Sequence, residues 1–189
     1  MNRNANVLRL ATAALLVAIG ILIPMFMPLK IYIPPMSFTL ASHVVIFIAM
    51  FLSPLVAFAV AVGTTIGFVF SGLPMDVWLR ALSHVVWAVL GAIWLKKHPD
   101  TVLKPVSSCA FCAIVGVVHG LLELAVIISL YFGGFGGVAE KFQETGYLAI
   151  FMLVGVGTFI HSSVDYALSL LIWQPVRQIK SVRTIATVR

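Results

Sequence analysis

The feature that most constrains this chain is its series of long apolar runs, broken only by short polar or proline-containing joints. The first run covers residues 7–27 and ends among Pro24, Pro28 and Lys30; others cover 43–52, 55–70, 75–95, 107–132 and 147–173. A helix rises about 1.5 Å per residue, so roughly 20 apolar residues cross the ~30 Å hydrocarbon layer of a membrane. The runs are continuous rather than alternating, which argues against a transmembrane barrel. Composition agrees: 61% of the 189 residues are hydrophobic, 10% are charged, and the mean hydropathy is +1.11. Soluble domains carry about 25% charged residues, so a soluble, disordered or disulfide-rich secreted chain is excluded. The expectation is an all-α integral membrane protein of six transmembrane helices, forming one membrane domain over residues 1–189. No length is left for a nucleotide-hydrolysing domain.

The joints carry further information. Residues 29–42, LKIYIPPMSFTLAS, are too apolar for a solvated loop and too rich in proline for a helix. They are expected to lie at membrane depth and to complete the short second span. Ser53-Pro54 marks a tight break. The loop over residues 133–146 opens with a flexible GGFGG and continues into EKFQET, a short surface turn. With both termini cytoplasmic, the inner side collects Arg3, Arg9, Lys96, Lys97, Lys104, Arg177, Lys180, Arg183 and Arg189 against Asp100; the outer side has Lys30 and Lys141 against Asp76, Glu140 and Glu144. The positive-inside rule favours this orientation in the plasma membrane. It also accounts for the net charge of +6 without nucleic acid. The basic C-terminal tail is expected to touch lipid headgroups or a partner. The first run lacks a small-residue cleavage site and reads as a retained helix rather than a signal peptide.

Ionisable residues inside spans are costly and face the bundle interior. Here they fall at helical spacing: Arg80, His84 and Trp87 on the fourth span, His119 and Glu123 on the fifth, Thr158, His161 and Asp165 on the sixth. Their depths bring Arg80, Glu123 and His43 to one level. A guanidinium keeps its charge on burial and binds carboxylates bidentately, so Arg80 requires an anion: Glu123, or the carboxylate of a substrate. Tyr32, Phe38, Phe68, Phe70, Trp78, Trp87 and Tyr131 are aromatic candidates for pocket walls or interfacial anchors. His84, His119 and His161 raise the alternative of a haem or metal protein, without a paired-ligand motif such as H-E-x-x-H. No nucleophile elbow or glycine-rich phosphate loop points to catalysis. Cys109 and Cys112 read as free thiols within a span. Small residues mark contact faces: Gly63 and Gly67, and Gly116 and Gly120, suit internal packing, whereas Ala11, Ala14 and Ala18 form a smooth face that suits another protein.

Together, the small multi-span chain, the A-x-x-x-A spacing of Ala14 and Ala18, the apolar first loop and the SFTLASHV segment followed by FIAMFLSP resemble the substrate-binding S components of energy-coupling-factor (ECF) vitamin transporters, nearest the pantothenate and niacin branches. The resemblance implies a non-enzymatic subunit that binds a vitamin from outside. Its partners would be a transmembrane T component, met by Ala11, Ala14 and Ala18, and two ATPase subunits. The first loop would gate the site. The substrate-binding candidates are Phe38, His43, Phe68, Arg80, His84, Trp87, His119, Glu123 and Tyr131, with no catalytic residue, no metal and no cofactor. Pantothenate is favoured over nicotinate, since its hydroxyl and amide groups would use His84, His119 and Glu123. The competing expectations are the haem or metal protein and a ligand-free scaffold subunit.

Overall fold

The computed structural model describes residues 3–33, 36–135 and 146–188. Glu140, Lys141 and Glu144, with the surface turn expected around them, lie outside the described residues, as do the side chains of Arg3 and Tyr32. The chain forms α1 (Arg3–Phe26), a hairpin of β1 (Lys30–Ile33) and β2 (Met36–Thr39), then α2 (Val44–Leu52), α3 (Pro54–Phe70), α4 (Met75–Lys97), α5 (Pro105–Phe132), α6 (Tyr147–Val176) and a short α7 (Lys180–Ile185). Among the described residues, four helices are long and apolar enough to cross a membrane: Asn4–Phe26 within α1, Met75–Lys97, Pro105–Phe132 and Tyr147–Val176. Their outward faces carry exposed Leu10, Leu22, Leu90, Ile114, Leu121 and Leu171, the surface that lipid covers.

The expectation of six spans is met only in part. α3 has 17 residues, about 25 Å of helix, and α2 has 9, about 14 Å. α2 alone cannot cross the hydrocarbon layer. Every residue of VVIFIAMFL is buried, because α2 packs against α1, α3, α4 and α6 at once. A helix that is apolar on all sides belongs inside a bundle. Its length is set at both ends by local chemistry. Ala41 takes the left-handed conformation (φ 67°) just before it. After it, Ser53 is extended, donates its N–H to the Ala49 carbonyl and accepts from the Val56 N–H at 3.2 Å. Ser53 thus closes α2 and caps α3, with Pro54 at the first helical position.

The apolar joint at residues 29–42 is not an irregular loop. It forms an antiparallel hairpin pairing Lys30 with Thr39, Ile31 with Phe38, Tyr32 with Ser37 and Ile33 with Met36. Ile31 and Ile33 are exposed, whereas Met36 is fully buried among Ile127, Leu130, Ile150 and Val154. Pairing of the two strands thus satisfies backbone groups that no helix could hold beside two prolines. Pro24 does not end α1, which continues to Phe26. At the other end of the molecule, α7 turns the chain back. The N–H groups of Thr187 and Val188 donate to the Phe51 and Leu52 carbonyls, and Ile185, Ala186 and Val188 are buried. This part of the tail covers the orphan carbonyls of α2 rather than lying wholly on lipid.

Small residues fit where backbones approach. Gly63 and Gly67 of α3 receive Val17 and Ile21 of α1, and Gly20 of α1 receives Thr64. Gly116 and Gly120 of α5 receive Phe159 and the Gly155 carbonyl of α6. There α6 widens into a π-helical stretch, Phe151–Val156, a distortion that places side chains at special positions. A Cβ on Gly120 would lie 2.8 Å from the Gly155 carbonyl oxygen, whereas one on Gly155 meets nothing nearer than 4.0 Å. Gly120→Ala should therefore destabilise the protein by about 1–3 kcal/mol, and Gly155→Ala by less than ~0.5 kcal/mol. Thermal unfolding in detergent measures the pair; equal shifts would remove this helix contact as a constraint.

Candidate functional site

The polar stripes of α4, α5 and α6 converge beneath the hairpin, at the N-terminal end of α2. Arg80 Nη2 donates to both oxygens of Glu123, at 3.2 and 3.1 Å. Thr158 Oγ1 donates to Glu123 Oε2 at 2.7 Å, and His84 Nε2 lies 3.3 Å from Oε1. His119 Nε2 is 3.2 Å from His84 Nε2 and 3.4 Å from Glu123 Oε1. One carboxylate therefore joins three helices. A second carboxylate beside it ties α6 to the start of α2: Asp165 accepts from the Ala41 N–H at 2.8 Å, from the His43 N–H at 2.9 Å and from His43 Nδ1 at 3.1 Å. Asp165 thus caps the positive end of α2 and fixes the His43 ring. Ser42 Oγ bonds to His161 Nε2 at 3.1 Å. Arg80, Glu123 and Asp165 are all buried, and a buried charge is tolerable only with such partners.

A cavity of about 70 Å³ opens on this cluster. Arg80, His84, Glu123 and His43 form its polar wall, Ser37, Thr39 and Ser42 close the hairpin side, and Phe68, Ile46 and Val77 supply the apolar side. Arg80 Nε is buried without a partner, so the guanidinium holds hydrogen-bonding capacity beyond the Glu123 pair. The cavity is far smaller than the ~300–1,000 Å³ of ordinary small-molecule pockets, and the hairpin forms part of its wall.

Of the sequence candidates, His43, Phe68, Arg80, His84 and Glu123 line the cavity. His119 and Trp87 stand behind it, fully buried, with their rings 4.9 Å apart. Phe38 is on β2, its ring edge-on to His161 at 5.5 Å. Tyr131 is not at this cavity. Its hydroxyl bonds to that of Tyr147 at 2.8 Å, and its ring packs in the cluster around Met36. Asp165, His161, Thr158 and Ser42 take part in the cluster without being among the substrate-binding candidates. The signal for them was present: His161 and Asp165 repeat the one-turn spacing of His119 and Glu123. Ala11, Ala14 and Ala18 are exposed along one side of α1, while Ala13, Leu16 and Gly20 face the bundle. Cys109 and Cys112 are both free, Cys109 being exposed.

No family model and no solved structure matches the sequence. The chain is 42% identical over 168 residues to the niacin transporter NiaX of Lactococcus lactis subsp. cremoris (strain MG1363), a match that spans 89% of this chain and 74% of that protein. The chain belongs to that family, the S components of ECF transporters. It is a multi-pass membrane transport subunit. The sequence expectation is corrected in one respect: niacin rather than pantothenate marks the branch this S component matches. Neither the haem or metal protein nor the ligand-free scaffold is favoured as the role of the chain.

The Arg80–Glu123 pair lies at the centre of this buried cluster. Removing one partner leaves an uncompensated buried charge, so Glu123→Ala should cost about 3–5 kcal/mol. Replacing both at once, Arg80→Leu with Glu123→Leu, should recover most of that loss, since a packed apolar pair of similar volume is often neutral. Unfolding of the single and double variants in detergent tests this. Additive losses would show that the two charges do not depend on each other.

Proposed function

We propose that this S component captures nicotinate from outside the cell, at the cavity walled by Arg80, His43, His84 and Glu123. The observation that carries the reading is Arg80: a permanent cation on the cavity wall, clamped by Glu123 through one nitrogen and retaining an unpartnered Nε–H. The similarity to a niacin transporter supports the same choice. A planar single-ring acid needs less enlargement of a space of about 70 Å³ than the longer branched chain of pantothenate. Its carboxylate meets the free edge of the Arg80 guanidinium. Its ring lies against Phe68, Ile46 and Val77, and its ring nitrogen accepts from a hydroxyl of Ser37, Thr39 or Ser42. Glu123 preorganises Arg80, so the cation stays in place when the ligand leaves. Ser37 and Thr39 belong to the hairpin strand β2, so displacement of the hairpin opens the route in.

Both termini face the cytoplasm in this reading, as the charge asymmetry indicates. The exposed alanine face of α1 receives a T component, and two ATPase subunits supply the energy. Small residues let the backbones of two membrane helices approach closely. Ala14→Trp should therefore abolish co-purification with a co-expressed T component; undiminished recovery would remove α1 as the docking face.

Calorimetry on the purified chain tests the ligand assignment. Nicotinate should bind at one saturable site, and pantothenate should give a far weaker response. Arg80→Lys retains a charge to pair with Glu123 but loses the planar fork. It should weaken nicotinate roughly 10- to 100-fold, the equivalent of one charge-assisted hydrogen bond of ~1.5–3 kcal/mol. Unchanged affinity in a folded Arg80→Lys protein would place the carboxylate elsewhere.

A further inference from the structure

Counting the histidines as neutral, the buried cluster holds one positive group, Arg80, and two negative ones, Glu123 and Asp165. A carboxylate ligand entering the cavity would add a third negative charge at low dielectric, where repulsion is strong. Some cation must accompany it. The donor atoms of His43, His84, His119 and Glu123 all lie within 4.8 Å of one another, and all four residues are buried.

Three of these atoms have a more specific arrangement. His84 Nε2, His119 Nε2 and Glu123 Oε1 form a triangle with sides of 3.2, 3.3 and 3.4 Å. Imidazole and carboxylate ligands bind zinc at about 2.0–2.2 Å, so the edge of a tetrahedral donor set measures about 3.3–3.6 Å. The triangle therefore has the size of one face of such a tetrahedron. Hydrogen bonding accounts for it less well, because each Nε2 offers either a single hydrogen or a single lone pair. Three edges meeting at two imidazole nitrogens cannot all be linear hydrogen bonds.

The surroundings fit the same purpose. Thr158 donates to Glu123 Oε2 and Arg80 Nη2 donates to both oxygens, so the carboxylate is fixed with Oε1 beside the two histidines. Asp165 engages His43 Nδ1, leaving Nε2 as that ring's remaining donor. This is the carboxylate–histidine pairing that orients metal ligands.

We propose that His84, His119 and Glu123, with His43 as the fourth donor, hold a divalent transition-metal ion of the zinc class. A set of three imidazoles and one carboxylate favours such an ion over magnesium or calcium, which take all-oxygen sites. With the ion in place the cluster carries net positive charge, and the cavity wall attracts an anion. The ion site stands on donor geometry alone; its service to nicotinate rests on the reading given above.

The test uses the full chain in detergent, stripped with a chelator and titrated with Co²⁺ alone, followed by visible absorption and elemental analysis. One ion per chain, with the intense ligand-field bands of a four-coordinate nitrogen–oxygen site and displacement by Zn²⁺, is the expected result. His84→Gln and His119→Gln should each weaken Co²⁺ by more than about 100-fold, and the outer partner change Asp165→Asn by roughly 10- to 100-fold. A folded wild-type chain that takes up no Co²⁺ overturns the site, whatever the variants do. Uptake abolished by His161→Gln but indifferent to His119→Gln overturns it as well, since the ion would then sit on His43, His161 and Asp165. Titrating nicotinate into the chelator-treated protein separates this outcome from failure of the nicotinate reading.

Discussion

An ionised carboxylate inside an apolar bundle must find its cations and donors there, because lipid offers none. Glu123 and Asp165 impose that requirement on most of this molecule. Glu123 draws Arg80 and His84 from α4, His119 from its own helix and Thr158 from α6 to one point. Asp165 holds the start of α2 through two backbone N–H groups and the His43 ring. Both anions lie on the inner faces of long helices, so the pairing fixes rotation and register together. A slip of either helix would strand a charge in hydrocarbon.

The cavity follows from where α2 begins. A full-length helix would carry its apolar side chains through the space above His43. Instead the Ala41 turn and the Asp165 cap start α2 late, and the hairpin occupies the remaining height. β-pairing is the one way this proline-containing joint satisfies its backbone while presenting Ser37 and Thr39 to the cavity. The lower end of α2 is closed just as locally, by Ser53, Pro54 and the returning tail at Thr187 and Val188. The buried hub thus carries a cavity walled on one side by a two-stranded ribbon, the smallest unit of sheet and one marginal when isolated.

Much of this was legible in the residues. Apolar run length and the lack of alternation fixed the helical class, and the i, i+4 spacing of His119 with Glu123 and of Arg80 with His84 marked the inward faces. The meeting of Arg80 with Glu123 followed from depth. The rest was not local information. Nothing in SFTLAS states that it pairs with KIYI across two prolines, and VVIFIAMFL reads as a span until its neighbours bury it on every side. Asp165 was seen on its helix face, but its role as a cap depends on a contact more than a hundred residues away. Depth alone cannot say toward which neighbour a side chain turns: Tyr131 bonds to Tyr147, away from the cavity. The pantothenate preference rested on counting polar groups and took no account of the small volume they enclose.

The S-component assignment, the small cavity and the paired guanidinium underlie the one contact proposed above, a ligand carboxylate on Arg80. An experimental structure of the protein with nicotinate bound tests that contact most directly. The expected result places the carboxylate within about 3 Å of the Arg80 guanidinium, beneath β2 and beside Phe68, with Glu123 still paired to Arg80. Nicotinate found in the apolar groove between α4 and α5, near Trp94 and Phe111, with Arg80 touching only Glu123, would contradict it and make the buried charges purely structural.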